Sequence, residues 1–326
     1  MLVLEAKLEG LKEQYGKLDE AIRTARFVRN SCLRYWMDNR DIGRYDLSAY
    51  CAVLAKEFAW AGQLNSQARQ ASAEKAWSAI ARFFNNCKKN KPGKKGYPKF
   101  KKEQTHGSVE YKATGWKLSE DRRYITFTDG FGAGIFKMWG SRDLHFYQLK
   151  QIKRVRVVHR ADGYYVQFCI NQERLEKKEP TFKTIGLDVG LTNFYADSNG
   201  QTVENPKHLR KSEKLLKRLS RRLSKTQKGS KNRAKFRNRL ARKCLKVSTI
   251  QRKDFAVKLA RCVVQSNDLV AYEDLRVRNM IKNRHLAKSI SDAAGTTFRT
   301  WTASEIYAIA TPNQRSTRST VLAQSA

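Results

Sequence analysis

The sequence predicts a multidomain chain of mixed α+β and α/β class. A β-barrel carrying a helical insert comes first, followed by an α/β unit with a basic helical hairpin. Three observations predict it. Apolar residues repeat with a helical period near the start and with a period of two through the next third, and an apolar strand at 184–190 precedes forty residues with one acid. At 326 residues the chain is long enough for about two domains and a sizeable core.

Residues 2–8 alternate, Leu2, Leu4, Ala6 and Leu8 on one face and Val3, Glu5 and Lys7 on the other, as in a half-buried strand. From Leu11 the period becomes helical, and 11–39 and 46–90 read as amphipathic helices, the first with a stripe of Leu18, Ile22, Ala25, Val28 and Cys32. Trp36, Trp60, Trp77, Phe83 and Phe84 are expected in the core rather than stacked on bases. CKKNKPGKKGYPKFKK at 87–102 is a basic Pro/Gly hinge. YITFTDG, AGIFKMWG and IKRVRVVHRADGYYVQFCI then read as strands and hairpins, with Asp162-Gly163 a turn. The first strand is expected to rejoin this sheet, so that 1–10 and 95–180 form the barrel and 11–94 the insert.

Residues 207–246 hold 18 Lys or Arg and one acid, Glu213. Leu209, Leu216, Leu219 and Leu223, then Phe236, Leu240, Cys244, Val247 and Ile250 after Gly229-Ser230, keep helical spacing, which predicts a hairpin with a core-facing stripe and a cationic outer face. Across the chain 66 Lys and Arg face 30 Asp and Glu, a formal charge of +36. Such an excess implies a polyanionic partner, nucleic acid first, because each neutralised phosphate releases counterions. An anionic membrane is the rival, but no run of about 18 apolar residues and no leader-like start are present, which points to a soluble, cytoplasmic protein. The six cysteines form no CxxC pair, so neither a disulfide framework nor a zinc ribbon is expected.

In TIGLDVG the alternation sets Ile185, Leu187 and Val189 against Gly186, Asp188 and Gly190. Asp188 is thereby expected on a buried strand, on a face kept open by glycines. NDLVAYEDL, 267–275, reads as a short strand ending in Glu273-Asp274. A long helical crossover between two such strands lays them parallel and adjacent, so that Asp188 and Glu273 could share a metal site, with Asp274 a cap or an ion-pair partner. Phosphodiester cleavage with two divalent ions about 4 Å apart needs clustered carboxylates of this kind. G-x-D-x-G-x-T, here Gly186, Asp188, Gly190 and Thr192, also resembles the first phosphate loop of the actin and sugar-kinase superfamily. No second glycine-rich loop or adenosine site accompanies it.

IGLDVGLTNF, ENPKHLRKSEKLLKRLSRRLSK, KGSKNR, QRKDF, NDLVAYEDLRVRNM and LAKSISDA, in this order, resemble the transposon-encoded TnpB (OrfB) family, as do GYPKFK at 96–101 and EAIRTARFVRNSCLRYW at 20–36. The resemblance covers about 1–295. It implies an RNA-guided DNA endonuclease related to type V CRISPR effectors, with a wedge-like β-barrel carrying a helical recognition insert, then a RuvC-type, RNase H-like nuclease domain, here 183–295 and incomplete. Asp188 and Glu273 match the family's catalytic Asp and Glu, and Mg²⁺ or Mn²⁺ is the implied cofactor. Implied partners are a guide RNA from the transposon end and double-stranded target DNA, at the nucleoid. Expected contacts to nucleic acid are Lys99, Lys101, Arg210, Lys211, Lys214, Lys217, Arg218, Arg221, Arg222, Lys228, Lys231, Arg233, Arg252 and Lys253.

The departure lies after SISDA. The family continues into a zinc ribbon and a third catalytic Asp, whereas here no CxxC follows, so zinc ligands are absent. The acids after Asp274 are Asp292 and Glu305, neither in the third Asp's context. Residues 296–326, rich in Ser, Thr, Ala and Gln, read as a disordered, frameshifted or divergent tail. The expectation is an endonuclease impaired by this loss, with a nuclease-dead guided DNA binder, such as a repressor, and a non-functional remnant as alternatives.

Overall fold

The computed structural model describes residues 2–102, 107–140, 143–172, 179–273, 277–280, 282–283, 285, 287–293, 300 and 302. The chain divides into two units, residues 1–172 and 173–326.

The first unit opens with β1 (Leu2–Glu9), followed by α1 (Lys12–Asp38), α2 (Arg44–Glu57), α3 (Ala59–Gly62) and α4 (Ser66–Lys88). Six strands follow: β2 (Ser108–Tyr111), β3 (Trp116–Leu118), β4 (Tyr124–Phe127), β5 (Gly134–Trp139), β6 (Ile152–Arg160) and β7 (Gly163–Ile170). With β1 they make one seven-stranded antiparallel sheet of order β2-β6-β7-β1-β5-β4-β3. β1 sits in its middle, Leu4 opposite Phe168 and Leu8 opposite Met138. The β6–β7 turn uses Gly163 at φ 137°, a conformation that a side chain would strain.

The sheet is open, a curled half-barrel rather than the closed barrel expected from sequence. Its edge strands β2 and β3, four and three residues long, are not paired to each other. The space that closure would fill is taken by α1, whose Leu18, Ile22 and Ala25 share a core with Leu4, Leu8, Tyr111, Phe136 and Phe168.

The stretch expected as one helix over 46–90 is three. Phe58 is extended (φ −118°, ψ 96°), and the Asn65 side chain accepts hydrogen bonds from the N–H groups of Gln67 and Ala68, starting α4 afresh. Val28, Cys32 and Leu33 of α1 pack on Leu47, Cys51 and Leu54 of α2 and on Ala73, Ala76 and Ile80 of α4. Of the aromatic residues expected in the core, Trp36 and Trp77 are half-buried and pack against this cluster and Phe83 is half-buried, whereas Trp60 is 46% and Phe84 50% exposed. α4 contributes mainly small side chains to this core, Ala73 and Ala76 with Ile80.

Helix and sheet are tied by buried charge. Glu110 on β2 is 2% exposed and meets Arg154 at 2.6 Å, Arg156 at 2.9 Å and Lys75 of α4 at 3.4 Å. Glu74 of α4 receives Lys112 at 2.8 Å, Arg44 at 3.2 Å and Arg154 at 3.3 Å. Burial raises the Glu110 carboxyl, but the Lys75 charge and the two guanidinium hydrogen bonds outweigh it and hold it at about 2, below its ordinary 4.5.

The second unit begins with β8 (Thr184–Asp188), β9 (Asn193–Asp197) and β10 (Thr202–Glu204). Helices α5 (His208–Lys225) and α6 (Lys231–Leu245) follow, then a π-helical stretch (Lys246–Lys253) running into α7 (Asp254–Ser266), β11 (Leu269–Tyr272), and the short α8 (Val277–Met280) and α9 (Ala287–Ala293). Its sheet has order β10-β9-β8-β11, antiparallel except that β11 lies parallel to β8. Leu187, Phe194, Tyr195 and Val270 pack against Ala256, Ala260 and Val263 of α7. Among the described residues no helix is long and apolar enough to cross a membrane.

Because the folded Glu110 carboxyl lies below its unfolded value, its stabilisation is complete above pH 4.5 and is lost as pH falls toward about 2. Glu110→Gln is expected to cost about 3 kcal/mol at pH 7, since three cations lose a buried partner. Thermal melts of both proteins from pH 7 to 3 check this: the gap narrows on acidification, and an equal gap at every pH overturns it.

Candidate active site and nucleic-acid interface

β8 and β11 run side by side with Thr184, Ile185, Gly186 and Leu187 paired to Leu269, Val270, Ala271 and Tyr272. Asp188 ends β8 and Glu273 directly follows β11, so the same register brings them abreast at the carboxyl ends of two parallel strands. Neighbouring strands are about 4.8 Å apart, and residues in register point the same way. Leu187 is buried and Tyr272 packs beside it, which turns Asp188 and Glu273 to the opposite face.

Two expectations about Asp188 need correction. It is exposed rather than buried, because β8 stops there and its last residue stands clear of α7. The glycine face is not open either: the Ser198 hydroxyl accepts from the Gly186 N–H at 3.1 Å, and the Gly186 carbonyl accepts from the Ser198 N–H at 2.9 Å. Glu273 is also exposed, and among the described residues neither carboxylate has an ion-pair partner. Asp274, Glu305 and the tail apart from Thr300 and Thr302 lie outside the described residues.

The basic segment forms the hairpin of α5 and α6, broken at 226–230, where Gly229 takes φ 86° and the Ser230 hydroxyl caps α6 by accepting from the Arg233 N–H. Arg210, Lys211, Lys214, Lys217, Arg218, Arg221, Arg222, Lys228, Lys231 and Lys253 are exposed. A groove along α5 gathers Lys211, Lys214, Lys217, Arg218, Arg221, Arg222 and Lys225 around Leu215. Several of the cations expected to contact nucleic acid have intramolecular work, Lys217 with Glu213 among them. Arg233 donates to the carbonyls of Leu223 and Thr226 at 2.9 and 2.8 Å, closing the hairpin, and Arg252 lies 4.0 Å from Asp292. The expected apolar stripe is mostly half-buried: Val247 is inside, while Cys244 is exposed and Ile250 is 58% exposed.

Asp292, 8% exposed on α9, accepts hydrogen bonds from the N–H groups of Leu209 at 2.8 Å and Arg210 at 3.1 Å, capping α5. On the same pair of helices Lys288 pairs with Glu213, which also holds Lys217 at 2.8 Å. These contacts anchor the hairpin to α9.

In the first unit a second basic groove lies among α1, α4, β6 and the hinge, lined by Arg26, Arg29, Lys75, Lys101, Lys102 and Arg156. Lys99 is exposed and its carbonyl accepts from Arg29 at 3.2 Å. Burial lowers the pKa values of Lys75 and Lys101; Arg29 and Arg156 lower that of Lys101 further. Crowded cations of this kind are relieved by an anion. Sequence reasoning passed over Arg26, Arg29 and Lys75, although Arg26 and Arg29 stand three apart on one helix face.

Asp292→Ala is expected to cost about 1–2 kcal/mol and to free the first turn of α5. Hydrogen exchange then quickens at the amides of Leu209 and Arg210 but not in α6; unchanged exchange at both amides rejects the cap.

The model of the OrfB_IS605 family, described as "Probable transposase", matches residues 167–284. A protein of Streptomyces pristinaespiralis named as an RNA-guided DNA endonuclease is 30% identical over 295 residues, 88% of this chain and 70% of that protein. InsQ of Escherichia coli K12, also named as an RNA-guided DNA endonuclease, is 26% identical over 265 residues, 79% of this chain and 62% of its own length. Among solved structures, a Cas12f1 complex with single-guide RNA and target DNA is similar at 12% identity and TM-score 0.47, over 89% of this chain and 71% of that one. With its strand-end carboxylates and cationic hairpin set in the matched region, the chain belongs to the OrfB (TnpB) family of transposon proteins.

Proposed function

We propose that this protein is an RNA-guided DNA endonuclease of the TnpB type, acting at the nucleoid in the cytoplasm. One observation carries the reading: the parallel register that sets Asp188 beside Glu273, both exposed, at the ends of the two strands that a strongly cationic helical hairpin connects. The order β10-β9-β8-β11 is compatible with an RNase H-like core of the RuvC kind. The relatives' names supply the guide RNA and the target DNA as partners.

Mg²⁺ or Mn²⁺ fits the donor set, since hard cations take carboxylate oxygens and water. Asp188 and Glu273 would hold it, and it would supply charge at the phosphoryl oxygens and a polarised water. No group of three His, Cys, Asp or Glu able to hold a metal occurs among the described residues. Asp292, the acid described nearest the C terminus, is committed to capping α5. Two carboxylates neutralise the developing phosphorane charge less well than three, so hydrolysis is expected to be slow. The same commitment of Asp292 favours, as second reading, a guided DNA binder without cleavage. The exposed cations of α5 and α6 bind the RNA backbone, and pairing with the guide reads the DNA.

The test is cleavage of a target plasmid by protein purified with its element-end RNA in Mg²⁺. Cleavage is expected to fall about a hundredfold or more in Asp188→Ala and in Glu273→Ala, with guided binding intact. Full cleavage by both variants rejects the site, and guided binding with none in the unaltered protein selects the second reading. Arg218, Arg221 and Arg222 all changed to Ala are expected to weaken RNA binding about tenfold or more and to flatten its salt dependence by about two units in log–log slope. Unchanged affinity and slope would assign the hairpin another role.

A further inference from the structure

Cys32 of α1 and Cys51 of α2 are both buried, 0% and 3% exposed, in the core between the two helices. Their thiols turn toward one carbonyl, that of Leu47, donating from 3.7 and 3.4 Å, so that both sulfurs converge on the same point of the core. The other four cysteines have no such arrangement: Cys87, Cys244 and Cys262 are exposed, and Cys169 is buried on β7.

We propose that Cys32 and Cys51 form an oxidisable dithiol that a small-molecule disulfide closes into an internal cross-link between α1 and α2. The two thiols are unequal. The hydrogen bond with Cys51 and then burial push Cys32 up, whereas the hydrogen bond from Cys32, with the charges of Arg69 and Lys112, lowers Cys51 against its burial. Cys51 is therefore the attacking sulfur. Its thiolate displaces one thiolate from the added disulfide, forming a mixed disulfide; Cys32, losing its proton, attacks the Cys51 sulfur and releases the second. Two protein S–H bonds are exchanged for one S–S bond, and the added disulfide leaves as two thiols. A disulfide needs sulfurs about 2 Å apart, so the proposal requires the two side chains to rotate from the Leu47 carbonyl toward each other.

The link would lie two residues beyond Asn30, which with Arg29 grips the hinge: Asn30 donates to the Lys101 carbonyl at 2.9 Å and accepts from the Lys101 N–H at 2.9 Å. Oxidation would thus lock the helix that forms one wall of the basic groove.

The full chain is incubated with glutathione disulfide, quenched in acid, alkylated in denaturant and digested with trypsin. Peptides 30–34 and 45–56 are expected joined, lighter than the pair by two hydrogen atoms, with four of the six thiols still alkylated. The melting temperature is expected to rise by about 5 °C and to return on reduction. Cys51→Ala shows neither joined peptide nor rise. The proposal is overturned if both peptides are recovered alkylated, if Cys51 stays as a glutathione adduct, or if the joined cysteines are others.

Discussion

Like-charge repulsion is the constraint under which this chain folds. With 66 cations and 30 acids, packing one basic element on another requires an acid at the junction. Glu110 and Glu74 sit where α4 meets the sheet and bring Lys75, Lys112, Arg44, Arg154 and Arg156 together. Glu213 and Asp292 do the same where α9 meets α5. These few acids act structurally, and the cations left over on α5 and α6 remain facing solvent, where a polyanion can reach them.

Asp188 and Glu273, by contrast, are exposed at strand ends and have no ion-pair partner among the described residues. Their position follows from topology. A parallel pair needs a crossover, and α5 to α7 provide it, so the hairpin that carries the cations is also the connection that brings β11 beside β8. Carboxyl ends of such strands are where ligands gather in α/β sheets. One stretch of chain therefore both brings the two carboxylates abreast and carries the exposed cations.

Much of this was legible in the residues. Alternation in Leu2–Glu9 and in TIGLD, helical period in α1 and in α5 and α6, and the Gly229-Ser230 break each reflect a local rule of backbone geometry and one-sided burial. The family motifs marked Asp188 and Glu273, and the crossover plan indicated their adjacency. The openness of the sheet, the three-way split of 46–90, and the exposure of Trp60, Phe84 and Asp188 were not legible. Each depends on which element arrives to cover a face, and periodicity records only that a face is apolar. Asp292 shows the limit: its sequence neighbourhood carries no sign that it caps a helix 83 residues away.

By itself, then, the sequence determined the charge, the element types, the family motifs and the two carboxylates, because these depend on composition and on neighbours along the chain. Tertiary structure alone decided the half-barrel filled by α1, the second basic groove, the capping role of Asp292 and the meeting of Cys32 with Cys51. Those depend on contacts between segments far apart in sequence, which are set by packing and by where scarce acids can neutralise crowded cations.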